Sequence, residues 1–221
     1  MTRLALLAAA SLLALAVPAS ADCTLEVVQA FARLGNEKAV RKVQNVIGEQ
    51  GPVVMTIEYV KPDRMRQVVT KVIDPDNRVE TVLIGKDAWG NGGKGWVKLV
   101  EDDAKQFREF FKRTTESASD MVGLFECMGA ETIDGQKVRA YRGLPPKTAD
   151  KPEDKKTTEE KSAEATIAAN EAVRVVYLDP ETGLPARAIF AVRDKLDRPI
   201  FREVFTYPTD LKIDPPPAPK N

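Results

Sequence analysis

The feature that most constrains the fold is a series of short segments in which apolar and polar residues alternate, each followed by a turn sequence. In residues 53–60 the odd positions are apolar and the even positions include a threonine and a glutamate. This period of two is typical of a strand with one buried face. A Lys-Pro-Asp turn follows at 61–63, and Asp134-Gly135 is a typical hairpin turn. The pattern predicts about nine strands in meander order, with a further short segment around residue 89. Their ranges are 53–60, 64–73, 79–84, 95–100, 129–133, 137–142, 171–178, 184–193 and 199–207.

Two segments follow the helical period instead. Thr24 can cap a short helix that Gly35 ends. Residues 102–122 place one stripe of mostly apolar side chains along a longer helix in the middle of the chain. Together with the strands, these helices indicate an α+β fold with one large, strongly curved antiparallel sheet and helices covering one face. The stripe consists of Phe107, Phe110, Phe111, Thr114, Ala118, Met121 and Val122.

Residues 1–21 have the features of a cleavable secretory signal. Arg3 supplies a positive charge, residues 4–17 form an apolar run too short to span a bilayer, and an Ala-Ser-Ala sequence offers small residues to a signal peptidase. We therefore predict export, with a mature protein that begins at about Asp22. A retained anchor helix is the alternative. Lipidation of Cys23 is disfavoured, because a charged residue precedes it.

The two cysteines, Cys23 and Cys127, are expected to form a disulfide. In an exported protein an even number of cysteines indicates a bridge, and two cysteines allow one pairing. The closed loop would contain about 100 residues and would tie the mature N-terminus to the middle of the chain. Two separate buried thiols are the alternative.

The charge balance gives no reason to expect a polyanionic partner. Removing Arg3 with the signal leaves 32 basic residues against 33 acidic ones, a net charge of −1. We therefore expect neither nucleic acid nor an anionic membrane surface as a partner. No later segment is long enough for a membrane span in the mature chain.

The absence of histidine limits the chemistry further. Histidine is the commonest general base near neutral pH, and a zinc site without it would need more than two cysteines. A Ser-His-Asp or Cys-His site is impossible, and we expect no metal and no cofactor. A hydrolase with a pair of carboxylates stays possible, although nothing singles out one pair among the 33 acidic residues.

The mature chain is predicted to form a single domain over residues 22–213. A charged insertion at 147–165 interrupts it, with five lysines, six acidic residues and no apolar residue larger than alanine. Such a segment cannot bury enough surface to order itself strongly, so we interpret it as a solvated connection between two strands. The tail at 214–221 is rich in proline and is expected to be extended or disordered.

The candidate binding residues are those expected to line a cavity between the sheet and the helices. Methionine and aromatic side chains adapt to flexible apolar ligands, and the phenylalanine-rich middle helix would be a movable cover. An ordinary core that holds helix to sheet is the alternative. Arg64 and Arg66 lie on one strand face, where they would meet a phosphate or carboxylate headgroup or pair with acidic residues across the sheet. The apolar candidates are Met55, Ile57, Tyr59, Met65, Trp89, Trp96, Phe107, Phe110, Phe111 and Met121.

Three short motifs resemble the periplasmic lipoprotein-carrier superfamily, typified by LolA, LolB and LppX. They are a Pro-x-Arg-x-Arg strand at 62–66, a Gly-x-x-x-Trp strand at 85–89 with Gly-Trp at 95–96, and a Tyr-x-Asp-Pro-x-Thr-Gly-Leu-Pro turn at 177–185. The resemblance covers most of the mature chain. It implies an open antiparallel half-barrel whose concave apolar face, covered by helices, holds acyl chains. The charged insertion and the cysteine pair depart from the pattern of the carriers.

The resemblance implies two functions. We expect a soluble periplasmic protein that binds a lipid, a lipoprotein acyl chain or another apolar ligand, as a carrier or chaperone without catalysis. The same fold also serves RseB-like periplasmic regulators, so the alternative is an interaction protein that senses envelope stress and binds another envelope protein. A carboxylate-dependent hydrolase is a minor alternative.

Overall fold

The computed structural model describes residues 19–48, 51–116, 123–144 and 172–217 of the 221-residue chain. Most of the predicted signal, Met121 with the end of the predicted middle helix, and the charged insertion lie outside these residues. The described part contains one antiparallel sheet of eleven strands and two helices.

The elements follow the predicted order, with one strand added. The helices are α1, Ala19–Leu34, and α2, Glu101–Glu116, and α2 lies between β6 and β7 in the chain. The strands β1 to β11 are Ala39–Gly48, Gly51–Val60, Arg64–Lys71, Asp74–Ile84, Asp87–Asn91, Trp96–Lys98, Phe125–Ile133, Gln136–Gly143, Ala172–Leu178, Pro185–Val192 and Phe201–Thr206.

The strands do not form the single meander that the sequence pattern predicted. β1, which that pattern missed, pairs with β2 on one side and with β11 on the other, from Arg41 opposite Thr206 to Val46 opposite Phe201. Two meanders therefore meet along the β1–β11 pair, and β6 and β7 form the edges of an open sheet. The prediction fails here because β1 uses its second row of backbone groups to pair with a strand from the far end of the chain.

α1 packs an apolar stripe on the sheet and begins before the predicted cap. Val27 and Leu34 are buried at helical spacing, and Gly35 ends the helix as predicted. Thr24 lies inside α1, so its predicted role as the cap is wrong. Its hydroxyl oxygen instead accepts a hydrogen bond of 2.8 Å from the backbone N–H of Phe125, where β7 begins. Thr24 thus ties the helix to the sheet.

The predicted disulfide between Cys23 and Cys127 is confirmed, with a Cα–Cα distance of 5.4 Å. Cys23 is a residue of α1 and its side chain is buried in the core, whereas Cys127 is exposed on β7. The bond therefore fixes the N-terminal part of α1 against an edge strand of the sheet.

Both helices pack against the same face of the open antiparallel sheet, which confirms the predicted α+β fold class. α1 contacts β11 through Phe31 and Phe205, whose ring centroids are 6.3 Å apart. α2 contacts β2 through Phe111 and Tyr59, also 6.3 Å apart. Because side chains alternate along a strand, the register assigns each position to this inner face or to the opposite, outer face.

Candidate ligand-binding face

The inner face is fully buried where the helices cover it. Tyr59, Met65, Leu83 and Ala88 lie side by side across β2, β3, β4 and β5, and all four are buried. Ile57, two residues before Tyr59 on the same face, is buried as well. Three of the predicted lining residues therefore belong to a close-packed core beneath the helices.

α2 places three phenylalanines against this core without burying them completely. Phe107, Phe110 and Phe111 pack on the core and stay partly exposed. Only Ala104 and Thr115 of this helix are buried. α2 thus covers the core with large apolar side chains that stay partly in contact with water.

Burial decreases along the strands away from the helices. On β4, Leu83 is 1% exposed whereas Val79 is 47% exposed, and Phe190 on β10 is 40% exposed. The described helices leave this part of the inner face uncovered, and we call it the open floor. The register places its apolar residues Val46, Val53, Met55, Val69, Val79, Phe190 and Phe201 on the inner face, with the polar residues Gln44, Lys71 and Glu203 next to them on the same face.

A cavity of about 420 Å³ lies in the open floor, lined in part by Phe190 and Phe201. Arg174 and Glu203 supply its polar side. The Glu203 carboxylate accepts a hydrogen bond of 2.8 Å from the Gln44 side-chain amide on β1. This volume falls within the roughly 300–1,000 Å³ of small-ligand sites, so the cavity has room for an apolar chain.

A second, more open groove of about 660 Å³ lies between the C-terminal ends of α1 and α2. Gly35, Lys61 and Phe111 contribute to its lining. The Lys61 ammonium donates to the backbone oxygen of Gly35 and so satisfies a carbonyl at the end of α1. Because Phe111 also packs on Tyr59, it lies between the groove and the buried core.

One charged side chain, Lys42, lies in the buried part of the inner face. It pairs with Ile57 on β2 and with Phe205 on β11, and it is 6% exposed. Its ammonium is 3.4 Å from the backbone oxygen of Thr114 in α2. Burial lowers the pKa of Lys42, and the nearby Glu203 carboxylate opposes that shift. Lys42 is not among the predicted site residues, because the sequence pattern did not indicate β1.

Four of the predicted site residues lie on the outer face and do not meet the cavity. Trp89 directly follows the inner-face residue Ala88, and the register places Trp96, Arg64 and Arg66 on the same outer side as Trp89. Residue type indicated these four candidates, but the side of the sheet on which each one lies depends on the strand pairing.

Arg66 pairs with acidic residues across the sheet, which is the alternative to the predicted contact with a ligand headgroup. Its guanidinium donates to Glu80 at 2.6 Å and to Glu58 at 3.3 Å, and Arg41 donates to Glu58 at 2.7 Å. Burial alone would raise the pKa of Glu80, but hydrogen bonds from Arg66 and Arg78 outweigh burial and hold that pKa below its ordinary value. Both carboxylates are bound by arginines on a strand surface, unlike the facing pair that a hydrolase needs.

Arg64 holds the C-terminal segment against the outer face. Its guanidinium donates a hydrogen bond of 2.6 Å to the backbone oxygen of Ile213 and lies 4.0 Å from the Asp214 carboxylate. Neither predicted arginine is therefore available to a ligand on the inner face.

The described residues contain neither a metal-binding cluster nor a membrane-spanning helix. Among residues 19–48, 51–116, 123–144 and 172–217, no three His, Cys, Asp or Glu side chains come together as a metal site requires. In the same part of the chain, neither helix is long and apolar enough to cross a membrane.

Comparison with known proteins supports the fold. No protein-family model matches the chain, and no curated protein does. LprF from Mycobacterium bovis is similar in structure, with a TM-score of 0.56 and 10% identity over 89% of this chain and 98% of LprF. The Mycobacterium tuberculosis lipoprotein LppX has a TM-score of 0.53 and 13% identity over 88% of this chain and 99% of LppX. These likenesses confirm the fold that the strand motifs indicated, and at such identities they show the fold alone.

Proposed function

We propose that the protein binds an acyl chain of a lipid or lipoprotein, or another apolar ligand, on the inner face of its sheet. The open floor carries this proposal, because large side chains such as Val79 and Phe190 stay in contact with water there. Contiguous apolar surface is unfavourable in water and marks binding sites on proteins. The 420 Å³ cavity in the same floor supplies a concave site of suitable size.

The side chains of the open floor suit a flexible chain. The floor combines four valines, one methionine and two phenylalanines with the polar residues Gln44, Lys71 and Glu203. An apolar chain with many rotatable bonds fits such an irregular surface through dispersion contacts and loss of hydration. Arg174 and Glu203 lie on one side of the cavity, so polar contacts would fix at most one end of a ligand.

The proposed action is carriage or protection of the ligand, without a chemical step. The chain has no histidine to serve as a general base near neutral pH. The carboxylates Glu58 and Glu80 are both bound by Arg66 on the outer face, away from the cavity. Reversible burial of an apolar chain needs only the open floor and the adjoining helix α2.

The proposal includes export to the periplasm. The apolar segment before Asp22 has the features of a cleavable signal. The Cys23–Cys127 bond fits an oxidising compartment, where disulfides persist. A free protein in that compartment is able to move an apolar ligand through water between envelope sites.

Binding of the environment-sensitive dye ANS tests the role of the open floor. Phe190→Ser removes an apolar side chain from the cavity, and we expect about fivefold weaker dye binding, from the loss of part of the burial free energy of one phenylalanine. The unfolding midpoint should change little, because Phe190 is already 40% exposed. Ile73→Ser is the matched control, since Ile73 is 73% exposed beyond the end of β3. Equal effects of the two variants would argue against a site in the floor.

Variants of α2 test its role as a cover. Phe110→Glu and Phe111→Glu should weaken dye binding more than they lower the thermal midpoint, because both side chains are already partly exposed. Glu109→Gln, on the exposed side of the same helix, is the control. A large fall in thermal stability of the two phenylalanine variants, with normal dye binding by the folded fraction, would mean that α2 is fixed core.

Protein purified from the cell envelope supplies an independent test. Native mass spectrometry and solvent extraction should recover a lipid bound to the protein. The absence of any lipid, together with no response to ANS, would refute the proposed function. A pull-down that returns one stoichiometric envelope protein from lipid-free material would favour the sensor alternative.

A further inference from the structure

Lys42 is a buried lysine that forms no salt bridge with any of the described residues. Its side chain enters the inner face between Ile57 and Phe205, both apolar. Its only hydrogen bond among the described residues is the long contact of 3.4 Å to the backbone oxygen of Thr114. Within the described part of the chain, no carboxylate lies within 4.0 Å of its ammonium. Its remaining contacts are to two ring faces, with distances of 5.9 Å to the Tyr59 centroid and 5.6 Å to the Phe205 centroid.

These contacts compensate poorly for the burial of a charge. An ammonium in an apolar interior loses its hydration, and only a close anion with good hydrogen bonds restores that free energy. The nearest acidic group that acts on Lys42 is Glu203, which already accepts a hydrogen bond from Gln44. Within the described residues, the Lys42 ammonium therefore has a distant carboxylate, one long hydrogen bond and two ring faces in place of a bound anion.

A second buried donor belongs to Tyr59, whose ring centroid is 5.9 Å from the Lys42 ammonium. Among the described residues, the buried Tyr59 hydroxyl has no hydrogen-bond partner. Tyr59 is on β2, directly next to β1, and pairs in register with Val40, two residues before Lys42. Buried hydroxyls nearly always find a partner, so this orphan calls for an acceptor. An ammonium and a hydroxyl on adjacent strands offer one donor to each oxygen of a carboxylate.

A route to these donors lies along α2. Phe111 packs edge-on against Tyr59, with an interplanar angle of 88°, and also lines the 660 Å³ groove between the helix ends. Thr114 belongs to the same helical turn as Phe111. Displacement of this one turn would therefore free the Lys42 ammonium from Thr114 and open the core to the groove.

We propose that the ligand is an apolar chain with a terminal carboxylate, and that Lys42 and Tyr59 bind this carboxylate beneath the last turn of α2. This inference rests on the proposed function, because it assigns the headgroup of the same ligand. The carboxylate takes the place of the Thr114 carbonyl as acceptor for Lys42, and the Tyr59 hydroxyl donates to its second oxygen. The apolar chain then lies against the partly exposed phenylalanines of α2 and the adjoining inner face.

Laurate and its methyl ester test the proposal, since they share one chain and differ in charge. Displacement of ANS at pH 7.5 should show about tenfold tighter binding of laurate than of the ester by the wild-type protein. Lys42→Met keeps an apolar side chain of similar length in the core and should remove this difference by weakening laurate alone. Tyr59→Phe should weaken laurate about threefold. Lys105→Met, which removes an exposed lysine of α2, should leave both affinities unchanged.

The outcomes separate this inference from the proposed function. Equal wild-type affinities for laurate and its ester would overturn the headgroup assignment and leave the apolar site intact. Wild-type affinity for laurate in Lys42→Met would overturn it as well. Failure of both ligands to bind would overturn the proposed function with it. If Lys42→Met did not fold, the wild-type comparison and Tyr59→Phe would decide.

Discussion

Replacement of Cys127 by alanine should destabilise the protein through loss of the cross-link alone. Cys127 is exposed on β7, so truncation of its side chain leaves no cavity. The thiol of Cys23 stays in the core, where a free cysteine behaves as a small apolar group. Cys127→Ala therefore separates the effect of the bond from the packing of Cys23, which replacement of both cysteines would not.

The magnitude follows from the length of the closed loop. The bond joins residues 104 positions apart. In the chain-entropy treatment, a loop of this length raises the free energy of the unfolded state by about 4.7 kcal/mol at 25 °C. Because real unfolded chains are more compact than that treatment assumes, we expect a loss of about 3–5 kcal/mol. The hydrogen bond between Thr24 and Phe125 remains and should keep α1 docked on β7 in the variant.

Urea unfolding, followed by circular dichroism, measures this loss. Wild-type protein in a reducing agent is the control, and its unfolding midpoint should coincide with that of Cys127→Ala. A loss below about 1 kcal/mol at unchanged m-value would refute the reasoning, because it would mean that the loop is already restricted in the unfolded chain.

Three other predictions address buried charges and a turn. Burial lowers the pKa of Lys42 from 10.5, so between the lowered pKa and 10.5 this residue binds more protons in the unfolded chain, and its contribution to the free energy of unfolding rises with pH. Burial also raises the pKa of Tyr59 and Tyr207, which acts in the opposite direction near pH 10, so the test is the difference between wild type and Lys42→Met: in urea titrations, the free energy of unfolding of wild type relative to the variant should rise with pH in that window. Arg66→Met deprives the buried Glu58 of a partner and should lower the free energy of unfolding by about 1–2 kcal/mol, whereas Arg78→Met, at an exposed position, should lower it by less than about 0.5 kcal/mol. Gly183→Ala should lower the free energy of unfolding by about 1–2 kcal/mol, because Gly183 has a φ of 67°; an unchanged thermal midpoint would contradict this turn geometry.

Local chemistry explains which elements were predictable from the sequence. The motif at 177–185 forms the turn between β9 and β10, as predicted. The Asp179 carboxylate accepts hydrogen bonds from the backbone N–H groups of Glu181 at 2.9 Å and Thr182 at 2.8 Å, and Gly183 supplies the left-handed residue. These interactions lie within a few residues of one another, so the local sequence is sufficient to indicate the turn.

β1 shows why other elements could not be predicted. Its inner positions are Val40, Lys42, Gln44 and Val46, so neither face has the alternation of a half-exposed strand. The polar residues Lys42 and Gln44 on its inner face and the apolar residues Val43 and Ile47 on its outer face break the alternation by which a strand with one buried face is identified. Its pairing with β11 joins the two ends of the chain, and no local signal reports such a contact.

The sequence predicts which residues of one strand share a face of the sheet, but not which residues of different strands do. Met55, Ile57 and Tyr59 share the inner face because they are spaced by two on β2, as predicted. Trp89 lies on another strand, and a shift of one residue in register exchanges the two faces of a strand. Residue type alone therefore could not tell that Trp89 faces outward while its neighbour Ala88 faces inward.

The two helices are held to the sheet unequally, which bears on how a ligand would enter. α1 is fixed by the Cys23–Cys127 bond, and the Tyr141 hydroxyl on β8 donates to its Glu26 carboxylate. For α2, the described polar contacts to the sheet side include the long bond from Lys42 to Thr114 and a bond of 2.7 Å from Arg108 to a backbone oxygen before β5.

Local opening of the inner face should therefore require less free energy at α2 than at α1. The proposed anion site lies beneath the end of this weaker helix, where Lys42 contacts Thr114. A carboxylate that binds Lys42 must break that contact, so ligand binding and displacement of the cover become one event. Amide hydrogen exchange should accordingly be faster in α2 than in α1 without ligand, and laurate should change exchange in the last turn of α2 and leave α1 unaffected. Equal protection of the two helices, or a change confined to α1, would contradict this coupling.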